Sequence, residues 1–149
     1  MDAQTRTIAF INAAHTLTHY ALLILPTAVL AMGTAFPGLD YGAIVTLGTA
    51  MFAIYGFGSL PVGWLSERYG ARAMMVVFFV GTGASLVASG LAATPATFAV
   101  ALGLVGVFLA IYHPVGTALL VDIAGPGLGR AIGINGVFGN FGVSLAPLA

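Results

Sequence analysis

The stretch "GWLSERYGAR" at residues 63–72 stands out for its polarity in a chain of 149 residues. It carries Glu67, Arg68 and Arg72, three of the eight formally charged residues in the sequence (four Lys+Arg and four Asp+Glu). Elsewhere the chain is apolar, since 60% of its residues are hydrophobic and only 5% are charged. A soluble domain carries about a quarter charged residues. The composition therefore predicts an integral membrane protein in which residues 63–72 form a polar connection between two apolar spans.

Five long apolar stretches define the expected architecture. An uncharged stretch of about 20 residues can cross the hydrocarbon as a helix, because a helix satisfies its own backbone hydrogen bonds. The sequence thus predicts an all-α membrane protein, a multi-span helical bundle with five transmembrane helices in one unit. Their predicted bounds are residues 8–32, 43–62, 73–93, 96–121 and 131–149. We expect Thr94 and Pro95 to begin the fourth span and Pro114 to kink it.

The four arginines predict the orientation of these spans. Arg6 precedes the first span, Arg68 and Arg72 follow the second, and Arg130 precedes the fifth. The connections after the first and third spans contain no basic residue. Because basic residues near span ends are retained on the cytoplasmic side, the N-terminus and residues 63–72 are expected in the cytoplasm. The predicted location is the plasma (inner) membrane.

Composition also argues against several classes of function. A formal net charge of zero gives no electrostatic case for binding nucleic acid. With no cysteine, the chain cannot form a disulfide, a thiolate zinc site or an iron–sulfur cluster. No serine with a plausible base, no pair of intramembrane carboxylates and no phosphate-binding glycine loop is apparent. The sequence therefore predicts neither an enzyme nor a bound cofactor.

The decapeptide resembles the loop signature of the major facilitator superfamily of secondary transporters, which lies between the second and third spans. Glu67 replaces the usual aspartate, Ser66 is a small substitute, and Ala71 replaces a basic residue. The residues that match the signature are Gly63, Leu65, Arg68, Gly70 and Arg72. The family typically has twelve spans in two halves. The resemblance therefore implies that this chain is the N-terminal part of a transporter, with a C-terminal half as its partner.

The charges of the decapeptide have two possible roles. The resemblance implies that Glu67, Arg68 and Arg72 pair with each other and with helix ends, and so latch one conformation. Asp122 ends the fourth span, where the helix dipole disfavours a carboxylate, so Arg130 or an arginine of the decapeptide is its expected partner. We expect Gly63 to permit close approach of a neighbouring helix. Alternatively, these are solvated charges that only fix topology.

Two further stretches narrow the resemblance. "YHPVGTALL" (residues 112–120) and "GVFGNFGVSLAP" (residues 136–147) are similar to the fosmidomycin-resistance branch of drug efflux proteins. The resemblance implies proton-coupled efflux of a small organic compound by an antiporter that works by alternating access. The arginine that many family members carry in the fourth helix is absent here. The competing hypothesis is a non-transporting membrane scaffold, or assembly module, made from half a transporter.

Polar groups inside the spans are candidates for the substrate and proton pathway, because burying them in lipid is costly. Asn12, His15, Thr16 and His19 share one helical face at spacings i, i+3, i+4 and i+7. At 1.5 Å per residue, His15, His19 and His113 lie about 10, 16 and 12 Å from the cytoplasmic end of their spans. The matched depth predicts a shared site. Alternatively, each histidine only bonds a neighbouring helix. A third interpretation is a Zn²⁺ or Cu²⁺ site, but no acidic or thiolate partner is present, so the sequence predicts no metal site.

Span five contributes the last predicted site residue and a glycine pattern. Asn140 is expected to donate a hydrogen bond to another helix. Four glycines recur at every third residue and predict close packing of span five against its neighbours. They are Gly133, Gly136, Gly139 and Gly142.

Overall fold

The structure, a computed structural model, describes residues 2–148, and every regular element in this range is helical. The helices are α1 (Ala3–Ala35), α2 (Tyr41–Leu47), α3 (Thr49–Tyr69), α4 (Ala71–Gly90), α5 (Pro95–Leu109), α6 (Tyr112–Ala124) and α7 (Leu128–Leu145). Short 3₁₀ turns follow α6 and α7, at Gly125–Gly127 and Ala146–Leu148. The protein is thus an all-α membrane protein. Ala149, where the fifth predicted span ends, lies outside the described residues.

Within residues 2–148, four apolar segments are long enough to cross a membrane, and the fourth of them, Pro95–Leu148, contains 54 residues. A straight helix of that length would measure about 80 Å against a hydrocarbon thickness of about 30 Å. The segment instead reverses direction at the 3₁₀ turn Gly125–Gly127. Before the turn, Ile123 accepts a hydrogen bond from Gln4 at the start of α1. After it, Ala146 accepts one from Thr27, far along α1. The chain therefore passes through the bundle five times, and α7 runs parallel to α1.

Two of the predicted continuous spans are each divided into two helices. Gly48 separates α2 from α3, and a Cβ atom at this position would collide with the side chain of Leu25. Between α5 and α6 the chain is interrupted at Ala110 and Ile111. Pro114 has no N–H to bond the Ala110 carbonyl four residues back, which explains this second break. The expected kink is present as a break one turn before the proline.

The polar decapeptide is mostly helical, which corrects its interpretation as a connecting loop. Residues 63–69 form the last two turns of α3, and α4 begins at Ala71. Residues 64–69 contain neither glycine nor proline, so the helix continues through them. Gly70 ends it with a φ of 82°, a value that glycine adopts without steric cost. Its N–H bonds the carbonyl of Ser66 at 2.9 Å.

The start of α5 follows the expectation from sequence. Thr94 is the N-cap, and Pro95 is the first helical residue. The Thr94 side chain accepts from the N–H of Thr97 at 3.2 Å, and the Thr97 hydroxyl accepts from the N–H of Thr94 at 3.1 Å. This capping box satisfies two backbone donors that the helix itself leaves free.

Close backbone contacts at two glycines hold the bundle together. A Cβ atom at Gly142 of α7 would collide with the Thr16 carbonyl of α1, and one at Gly106 of α5 would collide with the Met51 carbonyl of α3. By contrast, a Cβ at Gly133 or Gly136 would meet no atom within 4 Å. The glycine periodicity of α7 therefore marks two real contacts, at Gly139 and Gly142, rather than four.

Candidate functional site

Three histidines meet between α1 and α6. Each offers one nitrogen, and these three atoms lie within 4.8 Å of one another. His15 Nε2 is 3.1 Å from His19 Nε2, and the ring centroids of His15 and His19 are 5.4 and 5.8 Å from that of His113. Positions i and i+4 share one face of α1, which explains the first pair. The convergence expected from matched depth is therefore present in the structure.

Two tyrosines complete the aromatic surroundings of the cluster, and sequence reasoning missed both. Tyr112 of α6 is fully buried and stacks on His15, with centroids 4.8 Å apart and planes at 24°. Tyr55 of α3 meets His113 edge to face at 6.2 Å. Hydropathy treats a tyrosine within a span as one more apolar residue. The sequence feature that could have placed Tyr112 in the cluster is its position directly before His113.

A hydrogen-bond network joins the cluster to α7. Asn135, also missed from sequence, donates from Nδ2 to Asn12 Oδ1 at 2.9 Å. Its own Oδ1 accepts from the Tyr112 hydroxyl at 3.0 Å. Asn12, Asn135 and Tyr112 are all buried. Buried polar groups are costly unless they are paired, and here each pairs with another. The network therefore fixes α1, α6 and α7 relative to one another.

His15 is the most constrained of the three histidines. Its Nδ1 lies 2.8 Å from the backbone carbonyl of Asn135. A carbonyl can only accept, so Nδ1 carries a proton and Nε2 of the neutral ring presents its lone pair towards His19. Behind the ring, a Cβ atom at Gly139 would lie 2.6 Å from His15 Cε1. Glycine at this position therefore makes room for the imidazole.

Two predicted site residues lie outside the cluster. The Thr16 hydroxyl donates to the Phe138 carbonyl of α7 at 2.8 Å, so Thr16 joins two helices instead of facing His113. Asn140 is exposed, and its Nδ2 donates to the Gly136 carbonyl of its own helix at 3.0 Å. The expectation of a bond from Asn140 to another helix is wrong in this structure. Asn135, five residues earlier on α7, makes that bond.

The charged residues of the expected latch form no ion pair within 4.0 Å among the residues that the structure describes. Glu67, Arg72, Asp122 and Arg130 are exposed. The Arg68 guanidinium instead lies 5.6 Å from the ring centroids of its helical neighbours Trp64 and Tyr69. The latch stays a prediction about another conformation.

The two glycines of the expected latch differ in their surroundings. A Cβ atom at Gly63 would meet no atom within 4 Å, so the close helix approach expected there is not present. Gly70 has a defined role, because its positive φ ends α3.

Comparison with known proteins identifies the family. The family model described as Major Facilitator Superfamily matches residues 8–149. No curated protein and no solved structure matches the chain. The family match covers nearly the whole sequence, and it agrees with an all-α bundle of apolar helices. The chain therefore belongs to the major facilitator superfamily of membrane transporters.

Proposed function

We propose that this chain carries out secondary transport of a small organic compound by alternating access, with protons as the coupling ion. The observation that carries the proposal is the convergence of His15, His19 and His113 within 4.8 Å inside an apolar bundle. Ionisable groups within membrane spans are costly, so a cluster of three is a functional site by default. The surrounding Tyr112 and Asn135 offer further polar contacts to a substrate.

The outward direction of transport is part of this proposal. Its support is the similarity of residues 112–120 and 136–147 to the fosmidomycin-resistance branch, which makes efflux in exchange for protons the expected activity. The distribution of the arginines among the connections between spans supports a cytoplasmic N-terminus in the plasma (inner) membrane.

A second half is the proposed partner of this bundle. Alternating access requires two bundles that rock against each other around a central site. We assign residues 1–149 to part of the N-terminal six-helix half. In the other conformation, Glu67 pairs with arginines at helix ends. Asp122 pairs with Arg130, Arg72 or Arg68, and these ion pairs act as the latch. The alternative, a membrane scaffold without transport, has no comparable support, because a scaffold does not need three converging histidines within its spans.

Proton flux in everted membrane vesicles tests the proposal. Vesicles containing the complete transporter are acidified inside by respiration, and fosmidomycin is added as the first probe compound. Exchange of the compound for luminal protons should restore the fluorescence of a pH-sensitive acridine dye. His113→Ala should abolish this recovery at unchanged protein level, whereas Ser144→Ala, on an exposed part of α7, should keep it.

Three results would count against the proposal. The histidine cluster would lose its assigned role if His113→Ala exchanged protons as fast as the parent chain. Transport of probe compounds without any proton movement would remove protons as the coupling ion. A transporter that moved neither compound nor protons, yet assembled stably with another membrane protein, would favour the scaffold.

A further inference from the structure

We infer that His15, His19 and His113 form a binding site for one divalent transition-metal ion of the Zn²⁺, Co²⁺ or Cu²⁺ type. The binding itself follows from the side-chain arrangement. Its effect on transport rests on the proposed function, since an ion held at the cluster would occupy the site assigned to substrate and protons.

The spacing of the donor atoms fits such an ion. Tetrahedral zinc with bonds of about 2.0–2.1 Å to histidine nitrogens places those nitrogens about 3.3 Å apart. His15 Nε2 and His19 Nε2 are already 3.1 Å apart, and one nitrogen from each of the three histidines lies within 4.8 Å of the other two. A small rotation of the His113 side chain would therefore complete a three-nitrogen site.

The hydrogen bond of His15 prepares its ring for a metal. A metal-bound histidine almost always donates its other N–H to a carbonyl or a carboxylate, which fixes the tautomer and the ring orientation. His15 Nδ1 makes such a bond to the Asn135 carbonyl at 2.8 Å. Its Nε2 lone pair is thereby aimed at His19 Nε2 without a proton of its own. A cation between the two nitrogens satisfies both lone pairs at once.

The packing and the donor chemistry of the cluster also suit a transition-metal ion. Its donors lie on two helices rather than on loops, and the Tyr112 ring packs at 24° against His15. Sites held in this way need little reorganisation on binding. Three imidazole nitrogens favour Zn²⁺, Co²⁺, Ni²⁺ or Cu²⁺ over Mg²⁺ and Ca²⁺, which prefer oxygen. None of the three histidines is fully buried, so water can provide a fourth ligand.

Cobalt absorption spectroscopy tests the site directly. The full chain is purified through an affinity tag without histidines and titrated with Co²⁺ alone. We expect one ion per chain, visible d–d bands typical of nitrogen ligands, and loss of the bands when Zn²⁺ is added. No saturable Co²⁺ or Zn²⁺ binding by the parent chain would overturn the proposal.

Substituted chains distinguish binding at this cluster from binding that depends only on the number of histidines in the chain. His113→Ala should lower Co²⁺ affinity by at least about 100-fold, beyond the 10–100-fold that loss of an outer partner costs. The double variant His19→Ala with Tyr20→His keeps three histidines but turns the second donor by about 100° around α1. It should lose affinity as His113→Ala does, whereas Ser144→Ala should keep it. Equal binding by all variants would mean adventitious surface binding and would overturn the site.

The two experiments distinguish a failure of the metal site from a failure of the proposed transport function. Proton flux on addition of fosmidomycin, combined with no Co²⁺ binding, would overturn the metal site and leave the proposed function standing. Saturable Co²⁺ binding by a transporter that moves no compound would leave the metal site standing and contradict the proposed function. If both hold, Zn²⁺ should block the proton flux over the same concentration range in which it displaces Co²⁺.

Discussion

The imidazole of His15 stacks on the ring of Tyr112, with centroids 4.8 Å apart and planes at 24°. The same tyrosine donates its hydroxyl to Asn135, whose backbone carbonyl bonds His15 Nδ1. The three residues therefore close a loop of contacts between α1, α6 and α7. The position of the histidine cluster depends on this loop, because each member restrains the other two.

Asn135→Leu should destabilise the protein strongly. The substitution removes the partners of the buried Asn12 amide and the Tyr112 hydroxyl, and leaving a buried polar group unpaired costs about 1–3 kcal/mol. Asn140→Leu is the matched control on the same helix, since Asn140 is exposed and bonds only within α7. Thermal unfolding in detergent should show a clear drop in Tm for Asn135→Leu alone. Equal Tm values for the two variants would mean that the network contributes nothing.

Gly142→Ala should disrupt the packing of α7 on α1. The added Cβ would collide with the Thr16 carbonyl, a backbone atom that cannot rotate away. Forcing extra volume into a packed contact typically costs about 1–3 kcal/mol. Gly136→Ala on the same helix meets no atom within 4 Å and should be neutral or mildly stabilising, because alanine favours helix. Comparison of the two Tm values checks the prediction, which would be refuted by a Gly142→Ala protein as stable as the Gly136→Ala protein.

Single cysteines at Ser66 and Thr94 should label from opposite sides of the membrane. The chain has no cysteine of its own, so each substitution gives an unambiguous signal. Ser66 lies at the end of α3 and Thr94 caps the start of α5, with α4 crossing the bundle between them. An impermeant maleimide outside intact cells should modify Thr94→Cys only. Outside labelling of Ser66→Cys would reverse the predicted orientation.

Glu67→Gln should reduce transport without affecting insertion or stability. In this conformation Glu67 is exposed and forms no ion pair with a described residue, so the loss of its charge breaks no ion pair here. If it pairs with arginines in the alternative conformation, its neutralisation shifts the balance between the two states. Proton flux in vesicles should therefore fall while protein level and Tm stay constant. Unchanged flux would mean that the charges of the decapeptide serve only to fix the membrane topology.

The sequence determined the class of the protein and much of its local structure. Length and apolar character fix which segments can cross a membrane, since only a helix satisfies its backbone in lipid. The cap at Thr94 and the pairing of His15 with His19 are also local, because both follow from residues within four positions of each other.

Only the tertiary structure decided how the helices are rotated and where they are interrupted. Hydropathy could not show that α3 continues to Tyr69, because whether a helix ends depends on backbone conformation at Gly70 and not on polarity. Nor could it choose Asn135 over Asn140 as the residue that faces α1. Both lie in one apolar stretch, and a rotation of α7 by about 140° separates their faces. That rotation is set by the contact of Gly142 with the Thr16 carbonyl, which joins residues far apart in the chain.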